Sequence, residues 1–226
     1  MSGAPSPVSA IVLAGGDPPS TTIDDRLRAV VDSVGAGLVV AADSGLHAAR
    51  RLGLSVDLVV GDLDSVDPDA LAAACAAGTR VEQHPVDKDA TDLELAIHTA
   101  RDAGATRITV VDAGGGRHDH LLANALVLTS PGFADVEVDA VVGTARCWVV
   151  RDRRTITGPI GSLCSLLPAG GAARGVTTTG LRFALAGEDL APGTTRGVSN
   201  EFVAPTATIA LDAGVLLVVQ PHALEV

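Results

Sequence analysis

The chain has 226 residues, 47% of them hydrophobic, which is enough to bury a substantial core, and it carries a formal net charge of −11. So acidic a chain lacks the basic face that phosphate-backbone recognition needs, so nucleic acid is excluded as a partner class. No apolar run approaches the roughly 20 residues that cross a bilayer, and the opening MSGAPSPVSA has neither a basic nor an apolar leader segment, so no membrane partner and a cytoplasmic location are expected.

In chain order, AIVLAGG reads as a continuous apolar strand ending in Gly15 and Gly16, with the amphipathic DDRLRAVVDSV after it. GLVVAADSG is followed by LHAARRLG, and DLVVGDLDS by DPDALAAACAAG. A short strand in RVEQHP precedes the helical TDLELAIHTARDAG, and RITVVDAGG precedes HDHLLANALVL. Apolar strands alternating with helices predict a parallel sheet covered on both faces, a Rossmann-like α/β domain. From Val136 the pattern changes. VEVDAVVG, ARCWVVRD, RTITGP, SLCSLLPA, GVTTTGL, ATIALDAG and VLLVVQPH are short strand-like segments punctuated by Gly and Pro, which predicts a small antiparallel β-sandwich. The expected fold is therefore α/β plus all-β, with domains over residues 1–133 and 134–226. Cys75, Cys147 and Cys164 lack paired spacing and are expected to be free, buried thiols.

In an open parallel sheet, ligands bind outside the carboxyl ends of the strands, so the residues after each apolar run converge. Those residues are Gly15 and Gly16, then Asp43 and Ser44, then Asp62 and Asp64, then Gly114 to Gly116 with Arg117, Asp119 and His120. The segment PVDKDATDLELA adds Lys88, Asp89 and Asp92 at the start of the long helix. An excess of hard oxygen ligands suits Mg²⁺, and the glycines let backbone N–H groups approach phosphate oxygens. Lys88 and Arg117 supply the remaining positive charge, and the whole set is what phosphoryl transfer requires.

Some members have simpler duties. Asp67 before Pro68 reads as a helix cap, and Thr91 with Glu94 as a capping box. His118 and His120 lack companions at zinc-binding spacing and read as surface or capping residues. No GxxxxGK[ST] motif occurs.

The motifs AADSG, GDLDS, KDATDLELA, GGGRHDHLLAN and RGVSNEF occur in that order, and in this the chain resembles the thiamine pyrophosphokinases, their bacterial branch in particular. The resemblance implies an N-terminal catalytic α/β domain that binds nucleotide and Mg²⁺, and a C-terminal thiamine-binding β-sandwich. It also implies a homodimer with its active site at the subunit interface, and transfer of the diphosphate of ATP to the thiamine hydroxyl with AMP as the other product. By motif, Asp43, Asp62 and Asp64 match the metal and phosphate-site carboxylates, and Asp92 matches a further carboxylate near the metal. Lys88 and Asp89 match the nucleotide-side KD. Gly115, Gly116, Arg117 and Asp119 match the turn beside the phosphates, and Asn124 the LAN that follows it. Ser199 and Asn200 match the SN that faces the thiamine pyrimidine.

The chain also departs from the family pattern. Ser44 replaces a glycine and brings a hydroxyl to the ATP side, and Leu63 takes the apolar place of a Phe. Phe202 follows SN where eukaryotic members carry a stacking Trp nearby. Trp148, the only tryptophan, reads as a core or interface residue. Two other functions stay open on sequence alone: a Mg-dependent pyrophosphokinase for another alcohol such as a pterin, and a non-catalytic regulatory protein that binds nucleotide or thiamine diphosphate.

Overall fold

The computed structural model describes residues 8–16, 24–112, 114–115 and 117–225. The chain divides into two compact units, Met1–Asn124 with Asp135–Gly143, and Ala125–Ala134 with Thr144–Val226.

The first unit is built on six strands, β1 (Ser9–Leu13), β2 (Leu38–Ala42), β3 (Leu58–Gly61), β4 (Arg80–Gln83), β5 (Arg107–Asp112) and β6 (Glu137–Val142). All pair in parallel, in the order β6-β5-β1-β2-β3-β4. Helices α1 (Asp24–Val34), α2 (Gly45–Arg51), α3 (Pro68–Ala76), α4 (Asp92–Asp102) and α5 (His118–Leu128) alternate with them. The central strands are dry on both faces: Val12, Val40, Val59, Val60 and Ile108 are fully buried. This is why they read as unbroken apolar runs and not as alternating ones. Strand order reverses at β1, which has β2 on one side and β5 on the other, so a crevice opens beyond the carboxyl ends of these strands.

Helix starts follow the local chemistry. Asp67 caps α3, its Oδ1 accepting the Ala70 N–H at 2.8 Å, with Pro68 as the first helical residue. Thr91 caps α4 by accepting the Glu94 N–H at 3.2 Å.

Two sequence expectations need correction. The segment from Val136 was expected to open the antiparallel domain, but β6 pairs in parallel with β5 over six residues. Glu137 and Asp139 gave that segment a false polar alternation; Asp139 is in fact buried at 7% exposure. Cys75 was expected to be buried, but it is exposed on α3, where Ala70 alone is buried. Small alanines carry almost no periodic signal, so the buried face of that helix could not be read. Cys147 and Cys164 are buried, and burial pushes the Cys164 thiol up to about 12.

The second unit holds β7 (Ala145–Val150), β8 (Arg153–Thr157), β9 (Leu163–Pro168), β10 (Ala173–Thr179), β11 (Ala186–Leu190), β12 (Asn200–Glu201), β13 (Thr206–Ala210) and β14 (Leu216–Gln220). Antiparallel pairing gives two sheets, β12-β9-β14-β7 and β11-β10-β13-β8. Alternate residues of both sheets, Trp148, Val150, Leu166, Leu216 and Val218 with Ile156, Val176 and Ile209, form one core, as a β-sandwich requires. β11 and β12 escape a sequence reading because one, AGEDL, lacks a β-branched or aromatic residue and the other has two residues.

Gly45 shows how tightly α2 meets β1. A Cβ there would press into the backbone carbonyl of Leu13, which cannot swing aside. Gly45→Ala is expected to cost about 1–3 kcal/mol in urea unfolding, the usual range for overpacking. An unchanged midpoint would show that the helix can shift away.

Candidate active site

Beyond the carboxyl ends of the parallel strands lies a cleft of about 610 Å³. The loop after β1 contributes Gly15 and Gly16, that after β2 Asp43 and Ser44, and that after β3 Asp62, Asp64 and Ser65. Lys88 and Asp92 enter just before and at the start of α4, Asp112 at the end of β5, and Gly115, Arg117, His120 and Asn124 after it. Asp43, Ser44, Asp62, Asp64, Lys88, Asp92, Gly115 and Arg117, which the sequence pattern groups, line this one cleft, as does Asn124, named by the resemblance alone. Gly116 lies outside the described residues. Asp89 and Asp119 are exposed and do not line the cleft. Asp112 was not singled out from the sequence, although it ends β5 and the strand-end rule could have found it; Ser65, part of the strand-end run after β3, also lines the cleft.

Backbone conformation aims the acids. Asp43 (φ 47°) and Leu63 (φ 68°) occupy the left-handed region that side chains other than glycine seldom adopt. Leu63 packs on the small core of Ala41, Leu46, Val59, Val66 and Ala70, while Asp62 and Asp64 on either side of it face the cleft. Gly61, at φ 152°, leaves the space they need: a Cβ there would lie 3.1 Å from both Asp43 Cβ and Asp92 Oδ1. Gly15 plays a similar part for Ser44, whose hydroxyl occupies the place a Cβ on Gly15 would fill.

Asp43, Asp62 and Asp92 each offer a carboxylate oxygen within 4.8 Å of the others, the spacing of a cation cage. Asp64 lies beside this trio but is not one of the three. Lys88 Nζ is 2.6 Å from Asp62 Oδ2 and 3.0 Å from Asp92 Oδ1. Ser65 Oγ donates to Asp43 Oδ2, while Asp43 Oδ1 is buried with no hydrogen-bond partner. An unmet buried carboxylate oxygen inside an all-oxygen trio fits a hard divalent cation such as Mg²⁺.

The titration behaviour reflects this crowding. The Lys88 hydrogen bond holds Asp62 below the usual carboxylate range, whereas the negative charge of Asp62, reinforced by Asp43 and Asp92, raises Asp64. Burial opposes charge on Lys88, but its bonds to Asp62 and Asp92 outweigh this and raise its pKa.

On the other wall, Arg117 pairs with Asp119 at 2.5 Å and drives that carboxyl down to about 2. Both side chains of this pair are exposed, and Asp119 lies outside the cleft that Arg117 lines. Asp112 accepts from the Gly114 N–H at 2.8 Å and from Asn124 Nδ2 at 2.9 Å, tying the glycine turn to α5.

In the second unit Ser199 is exposed with φ 56°, and its N–H donates to Ser165 Oγ at 3.1 Å. Asn200 is 2% exposed, and its side chain is spent internally: Oδ1 accepts the Phe183 and Glu201 N–H groups, and Nδ2 donates to the Phe183 carbonyl, each at 2.9 Å. The structure gives Asn200 the job of fixing the chain beside Phe183. A separate cavity of about 440 Å³ in this unit is lined by Trp148, with the Arg146 guanidinium 5.4 Å from the centre of the indole, and by Gln220 and His222. Phe202 is fully buried and offers no face to a ligand; Phe183 is half exposed.

A parallel-sheet unit with a carboxylate cleft at its strand ends, followed in the chain by an antiparallel sandwich, defines a two-part protein. Residues 34–139 match the model of the thiamin pyrophosphokinase catalytic domain, and residues 153–216 that of the thiamin pyrophosphokinase vitamin B1 binding domain. The chain belongs to the thiamine pyrophosphokinase family, a family of transferases.

Among its relatives is thiamine pyrophosphokinase 1 of Oryza sativa subsp. japonica, 27% identical over 74% of this chain and 66% of its own. Thiamine pyrophosphokinase 2 of Arabidopsis thaliana is 28% identical over 71% and 63%. The match therefore spans less than two thirds of these curated relatives. Solved structures align more fully. Thiamine pyrophosphokinase from Bacillus subtilis superposes with a TM-score of 0.78 at 22% identity, covering 94% of this chain and 98% of that one. A thiamin pyrophosphokinase family protein from Enterococcus faecalis gives 0.74 at 25% identity with the same coverage.

Because Asp64 is raised by its neighbours, its ionised form opposes folding in the cation-free protein. That opposition operates above its folded pKa and vanishes below the unfolded value of 3.8. Asp64→Asn is therefore expected to raise the unfolding temperature at neutral pH and to lose that advantage below the carboxylate range. A midpoint that falls at neutral pH would contradict the repulsion.

Proposed function

We propose that this chain is an ATP-dependent diphosphotransferase that makes thiamine diphosphate and AMP from thiamine and ATP. The observation that carries the reading is the convergence of Asp43, Asp62, Asp92, Lys88 and Arg117 at one sheet edge, in a chain that matches both halves of the family. The match of residues 153–216 to a vitamin B1 binding domain favours thiamine over another alcohol.

In this reading the thiamine hydroxyl oxygen attacks the β-phosphorus of ATP. A new phosphorus–oxygen bond forms, the bond from that phosphorus to the oxygen bridging the α-phosphate breaks, and AMP leaves with the electron pair. The hydroxyl proton passes to one of the cleft carboxylates. Lys88 and Arg117 stabilise the negative charge spread over the transferring group, and Gly115, with no side chain, lets phosphate oxygens approach the backbone of the cleft. Asp43, Asp62 and Asp92 would hold Mg²⁺, with Asp64 adjacent; when bound, the ion neutralises phosphate charge and polarises the phosphorus–oxygen bonds. Asp119 acts as a positioning residue for Arg117, and Asn200 as one for Ser199 in the thiamine-binding unit.

The assignment extends to a bacterial-type enzyme, since alignment with the bacterial structures runs over nearly the whole of both chains. A cytoplasmic setting, where ATP is available, suits three cysteines that form no disulfide, one of them exposed. Among the described residues no helix is long and apolar enough to cross a membrane. A homodimer with its active site at the subunit interface is also part of the proposal. It is supported by Leu122 and Leu126, one helical turn apart on α5 and 67% and 63% exposed, an apolar stripe that a second copy would cover.

Incubation with ATP, Mg²⁺ and thiamine is expected to yield AMP and thiamine diphosphate in equal amounts, and Asp64→Asn to lower the rate by about a hundredfold or more while staying folded. ADP as the product, or no turnover by the wild type, overturns the assignment. Light scattering should give twice the mass of one chain, and Leu122→Glu with Leu126→Glu should shift it towards the monomer. A monomeric wild type would remove the dimer from the proposal.

A further inference from the structure

Three carboxylates share one small space, yet among the described residues a single basic side chain, that of Lys88, is ion-paired with them. Lys88 Nζ contacts one oxygen of Asp62 and one of Asp92, at 2.6 and 3.0 Å, with the lysine side chain 13% exposed and that of Asp62 11%. Asp43 Oδ1 lies in the same cage, buried and without a hydrogen bond. The ammonium thus touches two of the three acids that would hold a divalent cation and uses oxygens that the cation needs. Two positive ions cannot share those oxygens at such range without strong repulsion. Lysine is suited to the exchange: its charge is compact, its stem is flexible, and its anchor Val86–Lys88 is a loop before α4 and not part of the helix.

Taking the Mg²⁺ site of the proposed function as its basis, we infer that Lys88 is a resident counter-ion of the carboxylate trio which an arriving divalent cation displaces, freeing its ammonium to bind the phosphates of the nucleotide. The lysine has two successive partners, Asp62 with Asp92 in the empty cleft and phosphate oxygens in the filled one. Its removal therefore has effects of opposite sign on two ligands. Without the ammonium the trio has a full unmet charge, so a bare cation binds more tightly; without it the nucleotide loses a phosphate contact, so the metal–nucleotide complex binds more weakly. A lysine that merely orients the carboxylates, or one that only binds phosphate, would not divide the two ligands in this way.

The test is titration with Mn²⁺ alone, following free Mn²⁺ by electron paramagnetic resonance, on the wild type, Lys88→Met and Lys88→Arg, each first shown to be folded by circular dichroism. Lys88→Met is expected to bind Mn²⁺ at least tenfold more tightly than the wild type, and Lys88→Arg, which keeps the charge, to stay near the wild type. A parallel titration with a Mn²⁺ complex of a non-hydrolysable ATP analogue is expected to run the other way, at least tenfold weaker for Lys88→Met. Equal or weaker Mn²⁺ binding by Lys88→Met overturns the inference while leaving the metal site standing. Failure of every form to bind Mn²⁺, with or without the analogue, overturns the metal site itself and the inference with it.

Discussion

Like charges gathered at the end of a buried sheet are the constraint on which the rest of this structure turns. Asp43, Asp62 and Asp92 approach within 4.8 Å, with Asp64 close by, at a place where the strands behind them are dry. Coulomb repulsion at such range is severe unless water or a counter-charge intervenes. In the structure one lysine supplies part of that counter-charge, and the N-terminus of α4, which begins at Asp92 itself, supplies a little more. What remains uncompensated, the buried Asp43 Oδ1 above all, is a standing affinity for a cation.

Several local features make sense only as devices for keeping these acids in place. The backbone at Asp43 and Leu63 is held in a region that side chains avoid, and Leu63, partly buried, packs against the α2–α3 core so that its flanking aspartates face the other way. Gly61 cannot carry a Cβ without invading the cage, and Gly15 leaves room for the Ser44 hydroxyl. These are costs in folding free energy that a structural role alone does not repay. The opposite wall is treated alike: Arg117 is steadied by Asp119, and the glycine turn by Asp112 and Asn124.

Much of this was legible in the sequence, because burial on both faces writes strands as unbroken apolar runs and caps mark the helix starts. The strand-end rule gathered most of the cleft, and the segment PVDKDATDLELA before and into α4 added Lys88 and Asp92. It failed where side-chain polarity and location part company. Asp139 disguised β6 as an alternating strand, and the alanines of α3 hid the fact that Cys75 faces outward. Asp112 was overlooked as the polar end of an apolar run. Asn200, matched by motif to a thiamine contact, is engaged by the chain around Phe183, a partner 17 residues away that no local pattern announces.

The account stands or falls on where a divalent cation goes. Crystals grown with Mn²⁺ and a non-hydrolysable ATP analogue, measured at a wavelength where manganese scatters anomalously, give the answer directly. The account predicts an anomalous peak among the carboxylates of Asp43, Asp62 and Asp92, with the phosphates of the analogue beside it. A bound analogue with no peak there, or a peak held by other residues, would contradict it.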